Sequence, residues 1–320
     1  MRSEKGVIST LRSGPLLVLG VLAACRSERP ARAPGAEAPA SPVPPAAPRQ
    51  VAVVRDLATP ESAHYDADLD VWFVANINGG PLAKDNNGWI ARFHPDGTVD
   101  SLHFVQGGRS GVRLDAPKGM AIAGDTLWVV DIDALRAFHK RTGRPIATAN
   151  LAGKAKFLND VAVGPDGIYV TDTGIESKKD GSLAHTGPDR IFRIDPRHRA
   201  SIALETDSLE GPNGITWDSA GRRFIVVPFF GTTLRGWTPG SAPVAIGTGP
   251  GQQDGVEPIA GGRFLVSSWA DSSLFVLDQG RTTRVVGGLP SPADIGWDRG
   301  RRHVAVPVFL ENRVEIWELP

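Results

Sequence analysis

Short apolar runs of four or five residues recur along most of the chain, and each is closed by a polar or glycine-containing turn. Val71-Trp72-Phe73-Val74, Leu127-Trp128-Val129-Val130, Ile168-Tyr169-Val170-Thr171, Phe224-Ile225-Val226-Val227, Phe264-Leu265-Val266-Ser267 and His303-Val304-Ala305-Val306 are six such runs. Their length and β-branched or aromatic content predict buried strands, and no stretch keeps a helical apolar period. Each run follows a turn and a strand with a polar or small residue near its start. These openings are Pro60-Glu61-Ser62-Ala63, Pro117-Lys118-Gly119-Met120, Leu158-Asn159-Asp160-Val161, Pro212-Asn213-Gly214-Ile215, Gln253-Asp254-Gly255-Val256 and Pro292-Ala293-Asp294-Ile295. Third strands such as Ile191-Phe192-Arg193-Ile194 and Val314-Glu315-Ile316-Trp317 come next, and Pro95-Asp96-Gly97 and Pro165-Asp166-Gly167 supply hairpin turns.

Six units between Val51 and Pro320 average about 45 residues, the length of a four-stranded propeller blade. The fold class predicted for residues 51–320 is therefore all-β, a six-bladed β-propeller with four antiparallel strands per blade. The repeat ends on a third strand and begins, at Val51-Ala52-Val53-Val54, on a fourth. That phase predicts that the first strand completes the last blade and closes the ring, removing the open sheet edges that invite aggregation.

The first fifty residues read differently. Arg2, Lys5 and Arg12 precede a short apolar run, Pro15 to Ala24, which ends in Leu22-Ala23-Ala24-Cys25. The run is too short for a membrane span and has the length of a signal peptide. Its end resembles a bacterial lipobox, which implies cleavage after residue 24 and lipid on Cys25, the only cysteine. With Arg26 next, an outer-membrane anchor facing the periplasm is expected. Residues 25–50 form a Pro/Ala-rich linker, with seven prolines and seven alanines from 26 to 50; such a composition cannot bury a core and reads as a stalk. The 35 basic and 35 acidic residues balance, so nothing suggests a nucleic-acid partner. The membrane is expected to be touched only through the lipid on Cys25, and a monomer is expected.

In a propeller the inner strands start around the central channel. Aligned, the six openings place Glu61, Lys118, Asn159, Asn213, Asp254 and Ala293 around the axis. Glu61, Asn159, Asn213 and Asp254 offer two carboxylates and two amides, a hard-oxygen set suited to Ca²⁺, with another divalent ion such as Zn²⁺ or Mn²⁺ left open. Lys118 offers an alternative: its ammonium would neutralise Glu61 and Asp254 without a metal. Asp160 and Asp294, one residue on, are expected to face away from the axis. The loops Asn76 to Gly88, Gly107 to Ala116 and Thr173 to Arg190 are candidate lids over the ring, the last carrying His185. Phe229, Phe230, Trp269 and Phe309 would form an apolar rim or pack between blades.

These openings resemble the senescence marker protein (regucalcin)/gluconolactonase family and the related diisopropylfluorophosphatases and paraoxonases. The closest segment is Phe157-Leu158-Asn159-Asp160-Val161-Ala162-Val163-Gly164. The resemblance implies a calcium-dependent hydrolase of a lactone or related ester, with Glu61, Asn159, Asn213 and Asp254 as metal ligands. It lets Asp254 also serve as base or nucleophile, and Lys118 would steady the oxyanion. A second, structural calcium near Asp160 is a lesser implication, weakened because Ser62 stands where a carboxylate partner is expected. The chain departs from the pattern elsewhere too. Pro228 stands where gluconolactonases place a further aspartate, and Lys118 and Ile132 stand where paraoxonases carry a histidine dyad. The departures keep a second reading open: a non-catalytic envelope propeller that binds a small molecule, a peptide or a cell-wall component.

Overall fold

The computed structural model describes residues 46–320; the leader, Cys25 and most of the linker lie outside them. Six four-stranded antiparallel sheets are arranged in chain order. Among the described residues the only helical turns are two short 3₁₀ segments, Asp207–Leu209 and Phe309–Glu311. Blade 1 runs through Pro60–Asp66, Val71–Asn76, Trp89–Phe93 and Val99–Gln106. The other inner strands are Pro117–Ala123, Leu158–Gly164, Pro212–Asp218, Gln253–Ile259 and the short Gly296–Asp298.

The predicted closure holds. The first strand, Arg49–Val54, starts two residues earlier than expected and pairs with Arg313–Glu318 as the outer strand of blade 6. The two ends of the ring also meet at the axis. Asp294 N–H donates to Glu61 O at 2.9 Å, and Ala63 N–H donates to Asp294 O at 3.1 Å.

The second strands carry the core. Phe73, Val74, Leu127, Val129, Tyr169, Val170, Phe224, Ile225, Leu265, Val266, Val304 and Val306 are all fully buried. Apolar residues of adjacent blades pack in shared clusters, for example Val71, Phe73 and Ile90 with Met120, Leu127 and Phe138. Burying these faces is the main favourable contribution to folding.

A β-bulge recurs at the start of five inner strands. The register slips between Pro60 and Ser62, Pro117 and Met120, Leu158 and Val161, Pro212 and Ile215, and Gln253 and Val256. A bulge breaks the alternation of a strand and re-aims side chains. Here it falls on the residues predicted to face the axis. The glycines after three of them have a steric purpose. A Cβ on Gly119 would lie 2.6 Å from Asp160 Cα, and one on Gly255 would lie 2.6 Å from Asp294 Oδ1. One on Gly214 would strike the backbone oxygen of Asp254. The Lys-Gly, Asn-Gly and Asp-Gly pairs thus let each inner strand approach the next.

Candidate functional site

The last residue of three second strands holds the loop that leads into the inner strand. Asn76 Oδ1 accepts from Ala58 N at 3.1 Å, Asp131 accepts from the amides of Asp115 and Ala116, and Asp172 accepts from those of Lys156 and Phe157. These contacts fix the backbone just before Glu61, Lys118 and Asn159. The signal in sequence was the single polar residue closing each apolar run, which strand patterning alone does not mark as a positioning group.

Five of the six predicted axial residues line one cavity of about 240 Å³: Glu61, Lys118, Asn159, Asn213 and Asp254. Ala293 is buried and contributes no donor there. All five are nearly inaccessible, with Lys118 only 1% exposed. Asn159 Nδ2 donates to Thr173 Oγ1 at 3.0 Å, and that hydroxyl in turn donates to Pro212 O at 2.8 Å. The relay occupies the amide nitrogen and leaves the Asn159 carbonyl oxygen for another partner. Thr173 was not anticipated from the sequence.

Glu61 Oε2 and Asp254 Oδ1 are buried and have no hydrogen-bond partner. Burial holds the Glu61 carboxyl well above its usual range; Asp254 raises it further and Lys118 offsets part. Burial likewise raises Asp254, with Asp294 adding to it. The Trp269 indole and Asn213 amide favour ionised Asp254, yet Trp269 Nε1 stays outside hydrogen-bonding geometry. Lys118 is pulled down by burial against the pull of Glu61 and Asp131. Its ammonium donates to Ala116 O at 3.0 Å and lies 4.6 Å from the Phe157 ring centroid. A lysine-centred network accounts for some of the charge, and it leaves the two carboxylate oxygens unpaired.

Those orphaned oxygens are an observation that fits a cation, because buried carboxylates without partners are costly. The donor set of two carboxylates and two amides matches an oxygen-liganded divalent ion such as Ca²⁺. Among the described residues no three His, Cys, Asp or Glu side chains gather as a metal-binding group, so the amides are needed to complete any such centre.

The cavity walls come from loops on the same face. Ile77 and Pro81 belong to the first candidate lid, Ile175 and Leu183 to the third, and Phe229, Trp269 and Phe309 follow second strands. The aromatics therefore form a wall, with Trp269 5.8 Å from Phe229 and 5.3 Å from Phe309 between ring centroids. The loop Gly107 to Ala116 does not line the cavity. It packs beneath the first lid instead, with Leu114 O accepting from Gly88 N and Asp115 Oδ1 from Asn86 N. The third lid contains an unpredicted hairpin, Ile175–Ser177 with Leu183–His185. His185 braces that hairpin: it stacks on Phe230 at 4.7 Å and its Nε2 lies 2.6 Å from Asp189 Oδ1.

Asp160 and Asp294 do not face away from the axis. They line a second cavity of about 330 Å³ farther along the same inner strands, together with His64 and Glu257. For Asp160 the bulge is the reason: two successive residues turn inward where a regular strand would alternate; Asp294 instead precedes its short inner strand, Gly296–Asp298, where no strand alternation applies. Asp160 accepts from Val161 N and Ile215 N, both at 2.7 Å, and Asp294 Oδ2 accepts from Ser62 Oγ at 2.6 Å. Each carboxylate thus staples its blade to the next. Pro228 ends its strand opposite Pro212, offering no ligand, and Ile132 packs with Ile77 and Ala116.

A family model described as the SMP-30/Gluconolactonase/LRE-like region matches residues 59–230, more than half of the chain. The chain belongs to this family. A search of curated proteins gave no match. Among solved structures, this family member is similar to a gluconolactonase of Xanthomonas campestris, at 16% identity and TM-score 0.61, over 89% of this chain and 99% of that one. A gluconolactonase candidate from structural genomics gives 16% identity and TM-score 0.62 over 85% and 91%. An inactive virginiamycin B lyase of Staphylococcus aureus, solved with quinupristin, gives 14% identity and TM-score 0.54 over 84% and 99%. At these identities the likeness establishes the fold, and the fold alone serves both hydrolytic and lyase chemistry.

Proposed function

We propose that this member of the family is a divalent-metal-dependent hydrolase, calcium-type, acting on a lactone or related ester. The observation that carries this reading is the pair of unpaired buried oxygens, Glu61 Oε2 and Asp254 Oδ1, on the floor of a cavity shared with Asn159, Asn213 and Lys118. Glu61, Asn159, Asn213 and Asp254 would hold the ion, which supplies Lewis-acid polarisation of the substrate carbonyl when bound.

The chain's own groups account for the remaining chemistry. Asp254 accepts a proton from the attacking water, whose oxygen bonds to the acyl carbon. Lys118, held under the cavity by Ala116 O, faces the negative charge that develops on the carbonyl oxygen. The acyl C–O bond then breaks, the leaving alkoxide takes up the proton, and a hydroxy acid or an acid and an alcohol result. The apolar walls exclude bulk water and strengthen these charge interactions.

The test is a lactone and aryl-ester panel on the purified protein and on Asp254→Ala. Hydrolysis that falls by two or more orders of magnitude in the variant supports the reading. Activity untouched by the substitution removes the ring from the mechanism. Pro228, in place of an expected aspartate, favours the second reading, a propeller that binds a small molecule without turning it over. That reading gains if ligands bind and no substrate is hydrolysed. Anchoring to the outer membrane through Cys25 is part of the proposal and rests on the leader sequence alone.

A further inference from the structure

The walls of the cavity differ sharply from its floor. Above the ring they are Ile77, Pro81, Ile175, Leu183, Phe229, Trp269 and Phe309. The only polar wall group besides the indole is Thr173, and its hydroxyl is committed to Asn159 and Pro212 O. The one uncommitted donor on the walls is Trp269 Nε1. Leu183 is 47% exposed, and Phe230 and Leu310, which follow the wall residues Phe229 and Phe309, are 49% and 70% exposed. A cavity walled by apolar side chains marks a binding site for an apolar ligand.

We infer that the site takes a small lactone or ester with an alkyl or aryl body, and rejects polyhydroxylated sugar lactones; this rests on the hydrolase reading above. A sugar lactone would bring several ring hydroxyls against walls whose side chains offer a single free donor, Trp269 Nε1, and no free acceptor. Each hydroxyl buried without a partner costs about tenfold or more in binding. An alkyl or aryl body instead gains from burial against Ile175, Leu183 and the three aromatics. The volume of about 240 Å³ falls below the roughly 300–1,000 Å³ typical of drug-sized ligands, so one ring with a short substituent is the fitting size. The floor adds a charge preference. Glu61 and Asp254 against Lys118 sum to one negative charge, and a bound divalent ion turns that to one positive. A loaded site therefore favours the carboxylate of an apolar acid, which is the product of such a reaction.

Two measurements test this. The first compares kcat/KM for δ-nonalactone and phenyl acetate with that for glucono-δ-lactone, on wild type and Leu183→Asn. The second follows tryptophan fluorescence on adding hexanoate or gluconate with Ca²⁺ present, with Trp269→Phe to assign the signal. The inference expects the apolar substrates to win by about a hundredfold or more, Leu183→Asn to narrow that gap, and hexanoate to bind well ahead of gluconate. If glucono-δ-lactone is hydrolysed as well or better, the inference falls while the hydrolase reading stands. If nothing is hydrolysed but hexanoate still binds ahead of gluconate through Trp269, the hydrolase reading falls and the ligand class stands. Equal binding of the two acids overturns the inference in either case.

Discussion

Replacing Gly119 by alanine probes the geometry that brings the axial residues together. The new Cβ would lie 2.6 Å from Asp160 Cα and 2.9 Å from Asn159 O, both backbone atoms of the next blade. Neither can rotate away, so the inner strands of blades 2 and 3 must separate. Overpacking of this kind costs about 1–3 kcal/mol, sometimes more. The same methyl displaces the Asp160 carboxylate, which accepts from Val161 N and Ile215 N at 2.7 Å. Weakening those bonds adds about 1.5–3 kcal/mol. A loss near 4 kcal/mol lowers the melting midpoint of a domain this size by roughly 8–16 °C. Differential scanning calorimetry of Gly119→Ala beside Gly80→Ala measures it. Gly80 is the control because a Cβ there meets only Ala83 Cβ at an ordinary 3.7 Å. If the two variants melt within about 2 °C of each other, the close approach of the inner strands is wrong, and so is the convergence of the ring built on it.

Three further predictions follow from buried or reactive groups. Burial pushes His64 down to about 4, so the unfolded chain takes up its proton first. The stability His64 contributes is complete above about pH 6.5 and disappears as pH falls toward 4; because the ring is only half-buried by surface area, the contribution is at most about 3 kcal/mol. Urea unfolding of wild type and His64→Gln from pH 4 to 8 should show curves that converge at the acid end, and a constant offset contradicts the assignment. Lys118→Met removes the oxyanion partner and one positive charge, so kcat/KM should fall about 10²–10³-fold while Ca²⁺ binds more tightly; weaker Ca²⁺ binding would mean that Lys118 supports the site instead of competing with the ion. Cys25→Ser should abolish labelling by radioactive palmitate in cells, and undiminished labelling would remove the lipid anchor.

Much of the fold was legible because a propeller repeats its instructions. Six apolar runs of similar length, six openings and a phase that starts on a fourth strand sufficed to place Arg49–Val54 against Arg313–Glu318. The axial residues were legible for the same reason, since five of them stand at equivalent places and line one cavity. The bulges were not legible. They break the two-residue period that strand reading relies on, which is why Asp160 was expected to turn away and instead faces the channel; Asp294 does so because its inner strand begins only at Gly296. The walls were only half legible. Phe229, Trp269 and Phe309 follow second strands at equivalent places, whereas the roles of Leu183 and of the loop Gly107 to Ala116 depend on how long loops fold over one another. Thr173 escaped notice because its effect passes through a second residue: it orients Asn159 by accepting from its amide.

The account stands on the four oxygen-bearing residues of the ring. The most direct measurement is a Ca²⁺ titration of the chelator-stripped, purified protein by calorimetry and thermal unfolding, with Asp254→Ala alongside. At a hundred times the dissociation constant, binding should add about 2.7 kcal/mol, a rise of about 5–10 °C in the midpoint, and the variant should lose it. No heat of binding, no shift in wild type and no metal by elemental analysis would contradict the account.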